Sequence, residues 1–238
     1  MIKAKWKKLV MANYVVHPQV LEKYLPFNTQ FDRWNDQCYV SLVGFMFMDT
    51  SLLGIKFPFH VNFEEVNLRF YVKNLTDGLL KRGVVFIKEI IPLPMATFIA
   101  RTFYKEHYET FPMKHTWEFT SDQLNVEYNW KGKDWNSIKI ISGSTRHEIT
   151  LGSEEDFFTD QHWGFTYVNP VLTLEYEVAH PRWEYYKTLE YSIEVNFGNI
   201  YGEEFAFLSN QEPQSVFLAE GSEIRLVKSS ALRPRFLT

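Results

Sequence analysis

Phe63–Val72 reads FEEVNLRFYV. Side chains alternate sides along a strand, so Val66, Leu68, Phe70 and Val72 form an apolar face and Glu65, Asn67, Arg69 and Tyr71 a polar one. The apolar face predicts a strand laid on a core. The polar face has two readings. It can look at water as a ladder of weakly coupled charges, worth about 0–1 kcal/mol per pair. It can instead line a hollow. Side chains two apart on a strand sit roughly 7 Å from each other, so Glu65, Asn67 and Arg69 could together hold a ligand carboxylate or carbonyl. Arg69 would take the oxygens, and Glu65 would serve as acid, base or orienting group.

The same period of two recurs along the chain. VLTLEYEV sets Leu172, Leu174, Tyr176 and Val178 against Thr173, Glu175 and Glu177. TLEYSIEVNF sets Leu189, Tyr191, Ile193, Val195 and Phe197 against Glu190, Ser192, Glu194 and Asn196. Both read as half-buried antiparallel strands. KHTWEFT and LNVEYNW read as a hairpin turning at Ser121-Asp122-Gln123. CYVSLVGFMF is apolar on both faces, which predicts a central strand covered on both sides. Three short helices are expected. HPQVLEKYLP has Pro18 in the first turn, LGSEEDFFTDQ has Ser153 as N-cap before three acidic residues, and MATFIARTFY would pack Met95, Phe98, Ile99 and Phe103. The pattern predicts a mainly β protein with a few short helices and a closed or strongly curved antiparallel sheet, forming one domain over 1–238.

The bulk numbers exclude several functions. The 238 residues carry a net charge of −4, and the basic cluster Lys3, Lys5, Lys7 and Lys8 reads as a solvated edge strand, so no nucleic-acid partner is expected. No apolar run approaches the roughly 20 residues that span a bilayer, and the basic N-terminus does not read as a signal or transit peptide. A cytoplasmic location is expected, without a membrane partner. Cys38 is the single cysteine; it sits in an apolar run and reads as packing. The histidines show no metal-binding spacing, and Gly-rich phosphate loops and the Gly-x-Ser-x-Gly elbow are absent. No metal or cofactor is expected. The aromatic content of 17% suits a thick core or the wall of a small-molecule pocket.

Two further segments could carry chemistry. In ARTFYKEHY, a helical start would place Arg101, Tyr104 and Lys105 within one turn. Arg101 could bind a carboxylate through both nitrogens, and Lys105 could form an imine if a desolvated site or a neighbouring cation lowered its pKa. The alternative is a surface helix end. In VAHPRW, Pro181 holds His180 extended, and Trp183 either packs a rigid turn or walls a pocket. Lys88 and Lys139, each within an apolar strand, could point into a cavity or out to water.

With these segments in order, the chain resembles the YqjF-like family, bacterial proteins of unassigned function in the acetoacetate decarboxylase-like superfamily. The resemblance runs through WKKLVMANYVVHPQVLEKYLP, FEEVNLRFYV, ARTFYKEHY, EEDFFTDQHWGFTY, EVAHPRWEYY and IYGEEFAFLSNQEPQSVFLAEGSEI. It implies a β-cone or distorted barrel around a mostly apolar cavity, with Glu65, Asn67 and Arg69 facing inward. The site expected on this reading has Arg69 and Arg101 anchoring a small-molecule ligand, Glu65 and Asn67 orienting it, and Tyr104 and Trp183 walling its apolar part. The better-known decarboxylase relatives use a lysine that forms an imine, its pKa lowered by a neighbouring lysine. No Lys-Lys pair follows Arg101 here, and Lys105 is followed by Glu106, whose charge would raise an amine's pKa. The expected function is therefore binding of a small carboxylate or carbonyl compound. One alternative is an imine-forming decarboxylase, aldolase-like enzyme or dehydratase using Lys105, Lys88 or Lys139, with Glu65 as a further catalytic candidate. The other is an interaction protein whose cavity is filled by its own aromatic side chains.

Overall fold

The computed structural model describes residues 2–52, 54–56, 60–76, 78–99, 105 and 107–234. Alternating apolar positions become strands throughout: β1 Ile2–Val16, β2 Gln30–Phe31, β3 Cys38–Leu52, β4 Phe63–Thr76, β5 Leu79–Ile91, β6 Tyr108–Thr110, β7 Met113–Phe119, β8 Gln123–Lys131, β9 Trp135–Glu148, β10 Trp163–Asn169, β11 Leu172–Ala179, β12 Glu184–Glu194, β13 Ser215–Ala219 and β14 Glu223–Leu232. The helices are short: α1 Pro94–Ile99, α2 Glu154–Thr159 and α3 Phe197–Tyr201, with a 3-10 segment at Glu203–Asn210.

One sheet contains all fourteen strands, and part of it closes on itself. The ring runs β1, β3, β4, β5, β10, β11, β14 and back to β1. Its closing pairs are Lys3 with Arg225, Ala4 with Ile224 and Lys5 with Glu223. The second half of β1 leaves the ring and pairs with β13 instead, which starts a flanking layer of β13, β12, β9, β8 and β7. Closure covers the edges that β14 and the first half of β1 would otherwise expose, and β7 remains an end of the sheet. Most pairings are antiparallel as expected, but β5 pairs in parallel with both β10 and β6.

The apolar face of β4 meets this flanking layer. Val66, Leu68 and Phe70 share a core with Val126, Tyr128 and Trp130 of β8 and with Ile138 and Ile140 of β9. The expected β7–β8 hairpin is present, with Phe119 opposite Leu124. β3 is covered on both faces as its composition predicts: Val40, Leu42 and Met46 join this core, whereas Tyr39, Val43 and Phe45 join a second core around Phe157 and Phe158 of α2. α2 starts where expected, with Ser153 Oγ accepting the Asp156 N–H.

Several expectations need correction. HPQVLEKYLP forms two 3-10 turns, Pro18–Val20 and Glu22–Tyr24, rather than an α-helix. α1 occupies the start of MATFIARTFY, but Met95 is exposed, and residues 100–104 lie outside the described ones. The basic N-terminal segment is not an edge strand, since β1 pairs with β3, β13 and β14. In β12, Leu189 and Tyr191 face solvent, because two register shifts against β9 break the alternation. Val195 and Phe197 are buried but follow the strand, where Asn196 caps α3. β11 is covered on both faces: Thr173 donates to the Phe27 carbonyl, and buried Glu175 accepts from Lys81 Nζ at 2.6 Å.

The parallel β5–β10 contact closes the ring through a glycine. A Cβ on Gly83 would stand 2.1 Å from the Trp163 carbonyl oxygen, its register partner. Neither backbone can yield without parting the strands. Gly83→Ala is expected to cost at least the 1–3 kcal/mol typical of overpacking, read as a lower urea midpoint. An unchanged midpoint would show that ring closure does not need this approach.

Candidate functional site

The ring lines an open-mouthed cavity of about 500 Å³. Each of its seven strands contributes to the wall: Trp6 and Leu9 from β1, Phe45 and Phe47 from β3, the polar face of β4, Val84, Phe86, Glu89 and Ile91 from β5, Trp163 and Gly164 from β10, Tyr176 and Val178 from β11, and Ile224 and Leu226 from β14. Exposed Met95 of α1 also belongs to the wall, which puts α1 at the rim. The polar face of FEEVNLRFYV thus looks into the hollow: Glu65, Asn67 and Arg69 are at most 7% exposed, and all three line it.

Around Glu65 the polar groups converge. Asn67 Nδ2 donates to Glu65 Oε1 at 2.9 Å, and the Tyr108 hydroxyl donates to Glu65 Oε2 at 3.3 Å. Glu89 is the cross-strand partner of Asn67 and lines the same wall. Burial, with the charges of Glu65 and Glu89, pushes the Tyr108 pKa well above its ordinary value. Tyr108 therefore stays a protonated donor between the two carboxylates.

Arg69 stands four residues along β4, roughly 13 Å from Glu65 at strand rise. Its Nη2 reaches the Phe158 carbonyl at 3.4 Å, and its guanidinium lies 5.8 Å from the Tyr71 ring. Arg69 Nε has no hydrogen-bond partner, and neither have Asn67 Oδ1 and Gln161 Oε1 of the same wall. Among the described residues Arg69 forms no ion pair. A charged group taken out of water without a counter-ion is costly. Glu65 and Glu89 line the same wall, but among the described residues neither forms an ion pair with Arg69.

Trp183 lies in the wall, 5% exposed, with its indole N–H donating to Ser222 Oγ at 2.9 Å. It stacks on His180, which stacks in turn on His162. Burial pushes the His180 pKa below the ordinary imidazole value, and His162 adds to this. Arg101 and Tyr104 lie outside the described residues. Lys105 is exposed and is not part of the wall.

Strict alternation from Val84 and Phe86, which line the cavity, would bring Lys88 inward. A bulge prevents it. Leu68 pairs with Lys88 and Arg69 with Phe86, so Ile87 is an extra residue on β5. One inserted residue exchanges the two faces of everything beyond it. Glu89 and Ile91 therefore turn inward, and Lys88 turns out to Glu109 and the Ile200 carbonyl. Lys139 is also absent from the wall. Among the described side chains, the cavity contains no lysine. Glu89, Tyr108 and Gln161 were not singled out in the sequence. Glu89 and Tyr108 depend on the bulge and on the parallel β5–β6 pairing, neither of which leaves a local pattern.

A ring of strands around a hollow with this topology is the acetoacetate decarboxylase-like fold. An acetoacetate decarboxylase from Legionella pneumophila superposes with a TM-score of 0.66 at 12% identity, covering 100% of this chain and 89% of that one. The enduracididine biosynthesis enzyme MppR complexed with pyruvate superposes at 0.63 and 10%, covering 97% and 90%. An acetoacetate decarboxylase-like enzyme from Sphingomonas wittichii RW1 superposes at 0.65 and 10%, covering 98% and 93%. At these identities the likeness shows the fold alone. No curated protein matches the chain. The chain belongs to the DUF2071 family of uncharacterised conserved proteins, whose model matches residues 3–223.

Proposed function

We propose that this protein binds a small organic carboxylate in the ring cavity, with Arg69 as the anchor. The buried guanidinium, with no ion-pair partner among the described residues, carries the reading: the free protein bears a desolvation cost that an anionic ligand would offset. Asn67 Oδ1 and Gln161 Oε1 are unpaired acceptors in the same wall, suited to a hydroxyl or amine on the ligand. Glu65, oriented by Asn67 and Tyr108, would accept from the ligand's second polar group, a hydroxyl or amine. Trp183 walls the apolar part. That MppR, of the same fold, has been captured with pyruvate supports a cavity of this shape taking an organic acid. Among the described side chains of the wall, none is a lysine that could form an imine.

Isothermal titration with matched pairs of carboxylic acids and their primary amides tests the reading. The acids are expected to bind at least 10-fold tighter than the amides, the least that a charge-assisted hydrogen bond of about 1.5–3 kcal/mol provides. Equal affinities across the pairs would end it.

A further inference from the structure

The wall says more about the ligand than its charge. Beyond the polar groups of β4 and β5, the lining is aromatic and aliphatic, and its rings are arranged against one another. Trp6 meets Phe45, Phe47 and Trp183 edge-on, with centroids 5.6, 6.0 and 6.3 Å away, and Phe47 stacks on Phe63 at 4.8 Å. Val178, Ile224 and Leu226 continue this surface. An apolar hollow is poorly filled by water, because each water needs polar partners. A volume of about 500 Å³ falls within the range of roughly 300–1,000 Å³ that accommodates ligands of drug size. An acid as small as pyruvate would leave most of it empty.

We infer that the ligand is a carboxylic acid bearing an aromatic body, with its carboxylate on Arg69 and its ring system against Trp6, Phe47 and Trp183. This rests on the carboxylate reading above and narrows it to a substrate class. Face and edge contacts with surrounding rings favour an aromatic body over a flexible aliphatic one. The ligand also loses less conformational freedom when its body is rigid.

The experiment titrates the wild-type protein with pyruvate, phenylpyruvate and indole-3-pyruvate, and with phenylacetate beside phenylacetamide. Burying an aromatic group the size of a phenylalanine side chain should make the aryl acids about 10- to 150-fold tighter than pyruvate. In Leu226→Trp, which fills the apolar end, that ratio should fall toward one. Because the larger side chain could disturb folding, the wild-type ranking stands as a test by itself. Pyruvate binding as tightly as the aryl acids would overturn the aromatic body and leave the carboxylate anchor standing. Phenylacetamide binding as tightly as phenylacetate would overturn the anchor, and this inference with it.

Discussion

Replacing Arg69 by methionine is expected to abolish carboxylate binding and, at the same time, to stabilise the unliganded protein, by up to about 1–4 kcal/mol if removing this lone charge matches the gain seen when buried ion pairs give way to apolar groups of similar volume. The two effects share a cause. The guanidinium is 7% exposed, holds one long hydrogen bond to the Phe158 carbonyl and leaves Nε unpaired. Methionine keeps much of the stem volume and adapts to irregular space. Glu65 retains its hydrogen bonds from Asn67 and Tyr108 in the variant. Urea unfolding and titration with a bound acid measure both quantities on one sample. A variant that unfolds more readily while binding at wild-type affinity would show that Arg69 is structural.

Glu220→Ala should have the opposite effect, a loss of about 3–5 kcal/mol, because it strands a buried cation. Lys8 sits at a bulge of β1 with φ 54°, and its side chain is buried. Its Nζ donates to Glu220 Oε2 at 2.5 Å and to the Tyr186 hydroxyl at 2.9 Å. Lys7 donates to the other Glu220 oxygen at 3.0 Å. This network lies where β1 exchanges β14 for β13. There Gly221, with φ 73°, brings its backbone so near Trp6 that a Cβ would stand 2.1 Å from that carbonyl oxygen. Lys8→Met combined with Glu220→Leu should recover most of the loss, since neither charge then remains buried. No recovery would mean that the pair is needed for specificity rather than for charge balance.

The same carboxylate gives the acid limb of the stability curve a direction. Burial opposes ionisation of Glu220, but hydrogen bonds from Lys8, Tyr186 and Lys7 outweigh it and bring the pKa from 4.5 to about 2. A pKa depressed by folding contributes stability that is fully present above the unfolded value and is lost as pH falls through the folded one. The contribution, on the order of 3 kcal/mol, should fade between about pH 4.5 and 2. Glu220→Gln should flatten that limb, and an unchanged acid limb in unfolding experiments would assign it to other carboxylates.

Much of the candidate site was legible in one strand. FEEVNLRFYV contains no bulge among Glu65, Asn67 and Arg69, so strict alternation placed all three on one face, and they remain there. Where a strand is bulged, the same rule misleads. At Ile87 it assigns Lys88 to the cavity in place of Glu89, and that single residue decides whether the hollow contains an amine. The basic N-terminal run failed for another reason. Lys8 and Glu220 are 212 residues apart, so nothing local in the sequence marks the lysine as paired and buried.

The sequence by itself determined the strands at β3, β4, β7, β8, β11 and β12, the turn of the β7–β8 hairpin, the cap of α2 and the sharing of one face by an acid, an amide and a guanidinium. These follow from side-chain alternation and from hydrogen bonds between near neighbours. The tertiary structure alone decided that the polar face looks into a hollow, that β14 returns to β1 to close it, and that the lysines with described side chains stay outside. Alternation specifies which residues share a face but not what covers it. The covering comes from partners far along the chain, and from bulges whose cost is met only once the ring has closed.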